Sequence, residues 1–240
     1  MFAGKTCLVV VPARGGSKGI PLKNLREIGG KPLVARVGDV LRELSWVDCA
    51  VVSTDHEEIA RVAEAAGIAA PFRRPEFLSG DRIGDVDVLM HALQSMEQLD
   101  GKRYDIVVML QPTSPLRQAE DVTSAVRKLV EEELDAVWTV SETDSKAHPL
   151  KQLVVSESGL GYYDPDGATI IARQQLVPIY HRNGVAYVFT RECLAEQRSL
   201  LGNRAGAVIL EGVQANIDTA FDLLLAEFFL SQETSTGPSR

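Results

Sequence analysis

Basic charge is in short supply in this chain. Its 240 residues carry 25 Lys and Arg against 33 Asp and Glu, a net charge of -8. A nucleic-acid protein would normally show a basic face, so the composition argues against that class, and any anion site must be built from local groups. Cysteine is scarcer still. Cys7, Cys49 and Cys193 are odd in number and scattered, so they offer no disulfide framework and favour reduced thiols in a cytoplasmic protein. Cys7 and Cys49 fall in strand-like runs and read as core. The four histidines, His56, His91, His148 and His181, have no pairwise metal spacing. His91 sits in an amphipathic stretch and reads as structural. Long apolar runs are missing too. None approaches the roughly 20 residues of a membrane span, and Leu8–Pro12 is too short for a secretion signal. No internal repeat is visible.

What is present is a globular composition, 45% hydrophobic and 24% charged, of a length that suits one large domain. Short apolar β-branched runs predict strands at Cys7–Pro12, Cys49–Ser53, Ile106–Leu110, Ala136–Val140, Val185–Thr190 and Ala207–Leu210. Amphipathic runs predict helices at Pro32–Leu44, Glu57–Ala66, Val86–Gln98, Ala119–Glu132 and Ala220–Leu230. Pro32 suits a first helical turn, Gly67 a stop, and Asp218 or Thr219 a cap for the last helix. Strands apolar on both faces and separated by helices imply an α/β fold: a Rossmann-like, mostly parallel sheet with helices on both faces. Residues Ser141–Leu176 break the pattern. Their alternating runs and turn residues, including "DPDG", read as a small antiparallel insertion, which would cover a site or pair with a second subunit. The expected organisation is a single domain over 1–232 with an insertion at about 141–176. The polar end, "SQETSTGPSR", reads as disordered, with the tail drawn at 233–240.

One loop stands out. "VVPARGGSKGIPLKN", Val10–Asn24, follows directly on the first predicted strand. It fits neither the P-loop nor the dinucleotide spacing. Gly15, Gly16 and Gly19 allow close backbone approach and positive φ, and successive N–H groups in such a turn make an anion-binding concavity. Arg14, Lys18 and Lys23 add more charge than one phosphate needs and suit a triphosphate. In open α/β sheets ligands sit beyond the carboxyl ends of the strands, which is where this loop emerges.

This loop resembles the opening motif of the CMP-sialic acid synthetase (N-acylneuraminate cytidylyltransferase) family. Further matches follow in order: "IGGKPLVA" at Ile28–Ala35, "VSTD" at Val52–Asp55, "RRPEFLSGD" at Arg73–Asp81, "DVLMHAL" at Asp87–Leu93, "LQPTSPLR" at Leu110–Arg117, "NGVAYVF" at Asn183–Phe189 and "NIDTAFDL" at Asn216–Leu223. The resemblance implies transfer of CMP from CTP to an acidic small-molecule acceptor with release of pyrophosphate. It implies a homodimer built through the insertion, Mg²⁺ as cofactor, and no nucleic-acid or membrane partner. It places Arg14 and Lys23 on the CTP phosphates, Gly16, Ser17 and Asn24 of the same loop on the nucleotide, and Arg74 on its cytidine part. Gln111, Arg173 and Tyr187 match positions facing the acceptor, with Lys151 a looser match. Asp218 matches a metal-binding aspartate, and Arg14, Lys23 and Asp218 are the residues implied in catalysis. Asp81 and Asp85 would hold charge near the nucleotide or cap the helix that follows.

The chain departs from the family at three places. Asn216 stands where the family has a second metal-site aspartate. Arg82, Ile83, Gly84 and Asp85 replace small residues after Asp81. The stretch with Leu200, Leu201 and Arg204 lacks the aromatics expected near the acceptor. These changes favour a more anionic acceptor and keep open a small phosphonate, such as phosphonoformate, beside the acid sugar. A non-catalytic nucleotide-binding protein and a nucleotidyltransferase of different base are the other readings.

Overall fold

The computed structural model describes residues 1–157 and 159–235. The chain begins with β1 (Cys7–Pro12), a small hairpin of β2 (Glu27–Ile28) and β3 (Lys31–Pro32), α1 (Leu33–Glu43), β4 (Cys49–Ser53) and α2 (Glu57–Ala65). It continues through α3 (Asp85–Asp100), β5 (Ile106–Met109), α4 (Ala119–Glu131) and β6 (Ala136–Glu142). A second hairpin, β7 (Leu153–Ser156) and β8 (Gly159–Tyr162), precedes the long β9 (Tyr180–Thr190), α5 (Arg191–Ala195), β10 (Ala205–Ile209) and α6 (Ala220–Ser235).

The main sheet has the order β10-β6-β9-β5-β1-β4. β4, β1 and β5 are mutually parallel, β6 and β10 are parallel, and β9 runs antiparallel between β5 and β6. The period of two along β1 explains why its whole sequence is apolar. Cys7, Val9 and Val11 face α1, α2 and α4, whereas Leu8 and Val10 face α3 and α5. Each fully buried valine or leucine contributes about 1.5–3 kcal/mol relative to exposure. A third cluster joins Ile20, Ile28, Leu33, Leu116 and Ile217 to Ala226 of α6. It ties the opening loop to the last helix.

The chain leaves β1 first to one side, for β4, and later returns to the other side, for β5. Strand order therefore reverses between β1 and β5, and the crevice beyond their carboxyl ends is where ligands bind in such sheets. The opening loop leaves β1 at that end, and Gln111 lies just past β5 there.

The expected strands and the long helices are all present. Two short elements, the β2–β3 hairpin and α5, were not anticipated. α5 is specified by a single cap, the Thr190 side chain accepting from Cys193 N–H at 3.1 Å. Thr219 rather than Asp218 caps α6: its Oγ1 accepts from Asp222 N–H at 3.3 Å, while the Asp222 carboxylate accepts from the Thr219 N–H at 2.7 Å. Pro32 precedes α1 instead of opening its first turn. The insertion starts and ends slightly later in the chain than predicted. β6 keeps Ser141 and Glu142 in the main sheet, and the excursion closes only at Tyr180. "DPDG" forms a turn as expected, opening the short 3₁₀ segment Pro165–Thr169. α6 extends to Ser235, into the stretch expected to be a tail, and residues 236–240 lie outside the described residues. No helix among the described residues is long and apolar enough to cross a membrane.

Candidate active site

A cleft of about 530 Å³ opens at the β1–β5 switch point. Five cationic side chains line it (Arg14, Lys18, Lys23, Arg74 and Arg182) against three carboxylates (Asp81, Asp85 and Asp218). A chain of net charge -8 thus concentrates positive charge at one site, as an anionic ligand requires.

The opening loop is held from several sides. Asn24 is buried and its Nδ2 donates to the Arg14 carbonyl at 3.0 Å. Leu22 sits in the left-handed region, φ 49°. A non-glycine there costs about 1–3 kcal/mol, so the fold enforces the bend that presents Lys23. Lys23 Nζ donates to the Ile217 carbonyl at 2.6 Å and pairs with Asp218 at 2.8 Å. Asp81 bridges Arg14 at 2.8 Å and Lys18 at 2.7 Å, and these cations hold its carboxyl below the usual range. Gly15 and Gly19 serve packing rather than unusual φ. None of Gly15, Gly16 and Gly19 has a positive φ. A Cβ on Gly19 would lie 2.6 Å from the Asp218 carbonyl oxygen, so glycine is needed for the loop to reach that segment. The Gly15 N–H is taken by Asp55 Oδ1 at 2.8 Å. Among the described residues, no protein acceptor takes the Gly16, Lys18 or Gly19 N–H, which leaves three donors in the turn.

Arg74 is buried and pinned. Its Nε donates to Ser53 Oγ at 3.1 Å and its Nη2 to the Ser53 carbonyl. Burial pushes its pKa down to about 10, opposed by Asp55. Asp85, in the first turn of α3, is half-buried, and burial raises its carboxyl against the pull of Arg182 and Arg74. Neither Asp81 nor Asp85 caps α3.

The far end of the cleft is built by "LQPTSPLR" and β9. Arg117 is buried and clamps the two. It donates to the carbonyls of Val185, Gln111 (2.6 Å) and Gly184 (3.0 Å). Ser114 Oγ donates to the Asn183 carbonyl at 3.0 Å, and Asn183 Oδ1 accepts from Thr139 Oγ1 at 2.7 Å. Gly184 has φ +77°, and a Cβ there would lie 2.5 Å from Ser114 Oγ and 2.8 Å from Gln111 Oε1. Only glycine allows this approach. Tyr187 Oη accepts from the Gly184 N–H at 2.9 Å, and its ring meets Trp138 edge-on at 5.4 Å.

Of the residues singled out in the sequence, Arg14, Ser17, Lys23, Asn24, Arg74, Asp85, Gln111, Tyr187, Asn216 and Asp218 all line this one cleft. Gly16 lies off its lining, and so do Lys151 and Arg173. Both of these are exposed in short 3₁₀ turns of the excursion. Arg82 also stays off the lining. Arg204 is turned to the opposite end of the sheet, where its N–H meets Asp135 at the start of β6, so it adds no charge to the cleft lining. Leu200 acts indirectly, its carbonyl accepting from Trp138 Nε1 at 2.8 Å. The histidines are structural or peripheral. His148 accepts from Leu150 N–H through Nδ1, His181 meets Thr143 Oγ1, and His91 packs edge-on against Phe72. Arg182 is the charged lining residue that the sequence motifs do not mark. It lies one position before the "NGVAYVF" block, with its guanidinium 5.4 Å from the Trp138 ring centroid.

Of the expected metal ligands, the cleft lining holds both the Asp218 carboxylate, paired with Lys23, and the Asn216 amide. The Asp222 carboxylate is occupied by the Asp218 and Thr219 N–H groups. Among the described residues no group of three or more His, Cys, Asp and Glu has metal-binding geometry. This donor set is too small for an all-protein cage. It fits Mg²⁺, which is commonly held by one or two carboxylates together with substrate phosphates.

A cation-lined cleft at the switch point of a mostly parallel sheet defines a nucleotide-binding α/β protein. Comparison with known proteins narrows this class. The chain belongs to the cytidylyltransferase family, whose profile matches residues 8–226. It is 31% identical over 231 residues to the CMP-N,N'-diacetyllegionaminic acid synthase of Legionella pneumophila, covering 92% of this chain and 94% of that protein. It is 30% identical over 220 residues to an N-acylneuraminate cytidylyltransferase of Streptococcus agalactiae, covering 90% of this chain and 51% of that longer protein. A solved CMP:2-keto-3-deoxy-manno-octonic acid synthetase complexed with CTP shares the fold, with a TM-score of 0.69 at 19% identity over 95% of this chain and 99% of that one. The protein is therefore a CTP-dependent nucleotidyltransferase related to the CMP-sialic acid synthetases.

Proposed function

We propose that the protein transfers CMP from CTP to the hydroxyl of a nonulosonic acid sugar, an N-acylneuraminate or a close relative, and releases pyrophosphate. The observation that carries this reading is the two-ended cleft, with a cationic loop at one end and neutral polar groups beside a single arginine at the other. Arg14, Lys18 and Lys23, with the free N–H groups of the loop, hold the triphosphate. Asn24 and Arg74 hold the nucleoside. Gln111 both donates and accepts, as a polyol needs, Tyr187 forms the wall beside it, and Arg182 is placed for the acceptor's carboxylate.

In the reaction the acceptor oxygen bonds to the α-phosphorus of CTP. The bond from that phosphorus to the bridging oxygen breaks, pyrophosphate leaves with the electron pair, and the hydroxyl proton goes to solvent. Negative charge grows on the bridging and non-bridging oxygens, where fixed cations stabilise it most. Arg14 and Lys23 are positioned for that work. Asp218 and Asn216 would hold Mg²⁺ with the phosphates, and the ion would supply further charge stabilisation there.

The chain works as a cytoplasmic homodimer. The excursion between β6 and β9 exposes Val155, Leu160, Tyr163, Ile171 and Val177, each at least 68% accessible, more apolar surface than an isolated hairpin normally shows to water. Pairing through it gives the exposed Lys151 and Arg173 a route to the partner's cleft.

A panel assay tests this reading. CTP, Mg²⁺ and each of several acids are incubated with the protein, and pyrophosphate is measured. Release with a nonulosonic acid supports the proposal. Asn216, which removes a charge from the metal site, and Arg182 favour a second reading with a small phosphonate. Release with phosphonoformate and none with any nonulosonic acid would replace the first reading by the second.

A further inference from the structure

Asp81 lies beside the phosphate-binding cations yet carries the wrong charge for a phosphate site. Its Oδ1 meets Arg14 at 2.8 Å and its Oδ2 meets Lys18 at 2.7 Å. Each carboxylate oxygen takes one cation, as two phosphate oxygens would. Lys23 is likewise paired with Asp218 at 2.8 Å. In the nucleotide-free protein every cation of the opening loop is therefore neutralised by a carboxylate of this chain. Phosphates bound to Arg14 and Lys18 would bring like charges into contact with Asp81, so ligand and carboxylate compete for the same two cations.

These pairs are placed to be exchanged. The Lys18 side chain is 80% exposed and that of Asp81 39%, and ion pairs this open to water are individually weak. Asp81 stands in the turn between the 3₁₀ segment Glu76–Leu78 and α3, with Gly80 before it and Gly84 after it. Among the described residues no backbone hydrogen bond ties residues 80–83 to the rest of the fold. Weak pairs on such a turn still count, because a tethered group competes at a roughly millimolar effective concentration. Substrate and product meet this competitor unequally. CTP is held by its nucleoside as well as its phosphates, whereas pyrophosphate has the phosphate contacts alone.

We propose that Asp81 is a tethered competitor of pyrophosphate, which yields Arg14 and Lys18 to the triphosphate of CTP and takes them back after transfer, so that pyrophosphate leaves. This rests on the nucleotidyl-transfer reading for its ligand, but it concerns release of the product and not the bond-making step. Asp81 is a positioning residue. It acts through the two cations and touches no reacting atom.

The test is titration calorimetry of the full chain with pyrophosphate and Mg²⁺, for the wild type, Asp81→Asn and Asp81→Glu. With two exposed ion pairs no longer competing, Asp81→Asn should bind pyrophosphate about 3- to 30-fold more tightly. Asp81→Glu keeps the charge and should bind within about threefold of wild type. The sign separates this role from a structural one, because a residue that only orders the loop would weaken binding when removed. Thermal melts without ligand check that the variants are folded, and Asp81→Ser gives a second reading of the same loss of charge. Tightening of less than about threefold in Asp81→Asn, or any weakening, overturns the proposal, as does an Asp81→Glu protein that tightens as much as Asp81→Asn. In the active enzyme, added pyrophosphate should inhibit formation of the CMP product at a correspondingly lower concentration in Asp81→Asn. Binding is read without CTP or an acceptor. A protein whose Asp81→Asn form binds pyrophosphate more tightly, yet which releases none from CTP, would overturn the catalytic reading and leave the competition standing. Unchanged binding in an active enzyme would do the reverse.

Discussion

Lys23 shows how one side chain links loop, metal site and chemistry. Its Nζ holds the Ile217 carbonyl and the Asp218 carboxylate together, so in the nucleotide-free protein it orders the segment that would bind Mg²⁺. Lys23→Ala and Arg14→Ala are each expected to lower kcat about 10²- to 10³-fold, the usual effect of removing one donor from a charge-stabilising site. Their melting temperatures should stay close to wild type, and full turnover in either variant would remove that residue from the chemistry. Asp85 carries a stability consequence as well. Burial raises its carboxyl pKa in the folded state, so the fold holds this proton more tightly than the unfolded chain does. Stability is then lost as pH rises through the window between the unfolded and folded values. Asp85→Asn should melt at a higher temperature than wild type at about pH 7, and the gain should vanish towards about pH 3, below the ordinary carboxylate range. Melts across that range, without nucleotide, decide it. An Asp85→Asn protein that gains nothing at neutral pH would show that the ionised carboxylate is satisfied within the fold. Arg182 was not legible from the sequence because nothing about a lone arginine before "NGVAYVF" marks it. Its place in the cleft depends on Trp138 of β6 lying beneath it, a contact between neighbouring strands far apart in sequence.

At the scale of elements, β9 does the most to shape the site. It runs antiparallel in an otherwise parallel sheet, delivers Arg182 and Tyr187 to the cleft lining, and packs Gly184 against Ser114 and Gln111. Gly184→Ala would force a Cβ to within 2.5 Å of Ser114 Oγ at a backbone angle that alanine resists. The expected cost is about 1–3 kcal/mol in denaturant unfolding. The acceptor KM should rise more than the CTP KM, because Gln111 shares the contact; equal effects on both would contradict this division of the cleft. The strands of the parallel part were legible because both of their faces are buried, as in β1, where alternate residues enter opposite cores. The amino-terminal half of β9 was not. Tyr180, His181, Arg182 and Asn183 lack the β-branched pattern, and their strand is specified by pairing with β6. The opening loop was legible as an anion site from charge and glycine content. For Gly15 and Gly19 the geometry changed the reason from positive φ to close packing against His56 and Asp218.

At the scale of the whole molecule, the excursion between β6 and β9 is the part that a single chain leaves unexplained. Ile171 is 93% accessible and Val155 80%, and isolated two-stranded hairpins are marginal in water. Val155→Asp with Ile171→Asp should convert a dimer to a monomer in sedimentation velocity, whereas a monomeric wild type would contradict the dimer. If Lys151 and Arg173 act across that interface, activity should fall with dissociation. The most direct test of the central claim is acceptor-dependent release of pyrophosphate from CTP with Mg²⁺, followed together with the phosphorus NMR signal of the product. The expected result is one pyrophosphate per new CMP diester, formed with a nonulosonic acid and absent without it. CTP left intact with every acid tested, by a folded protein that binds it, would contradict the claim.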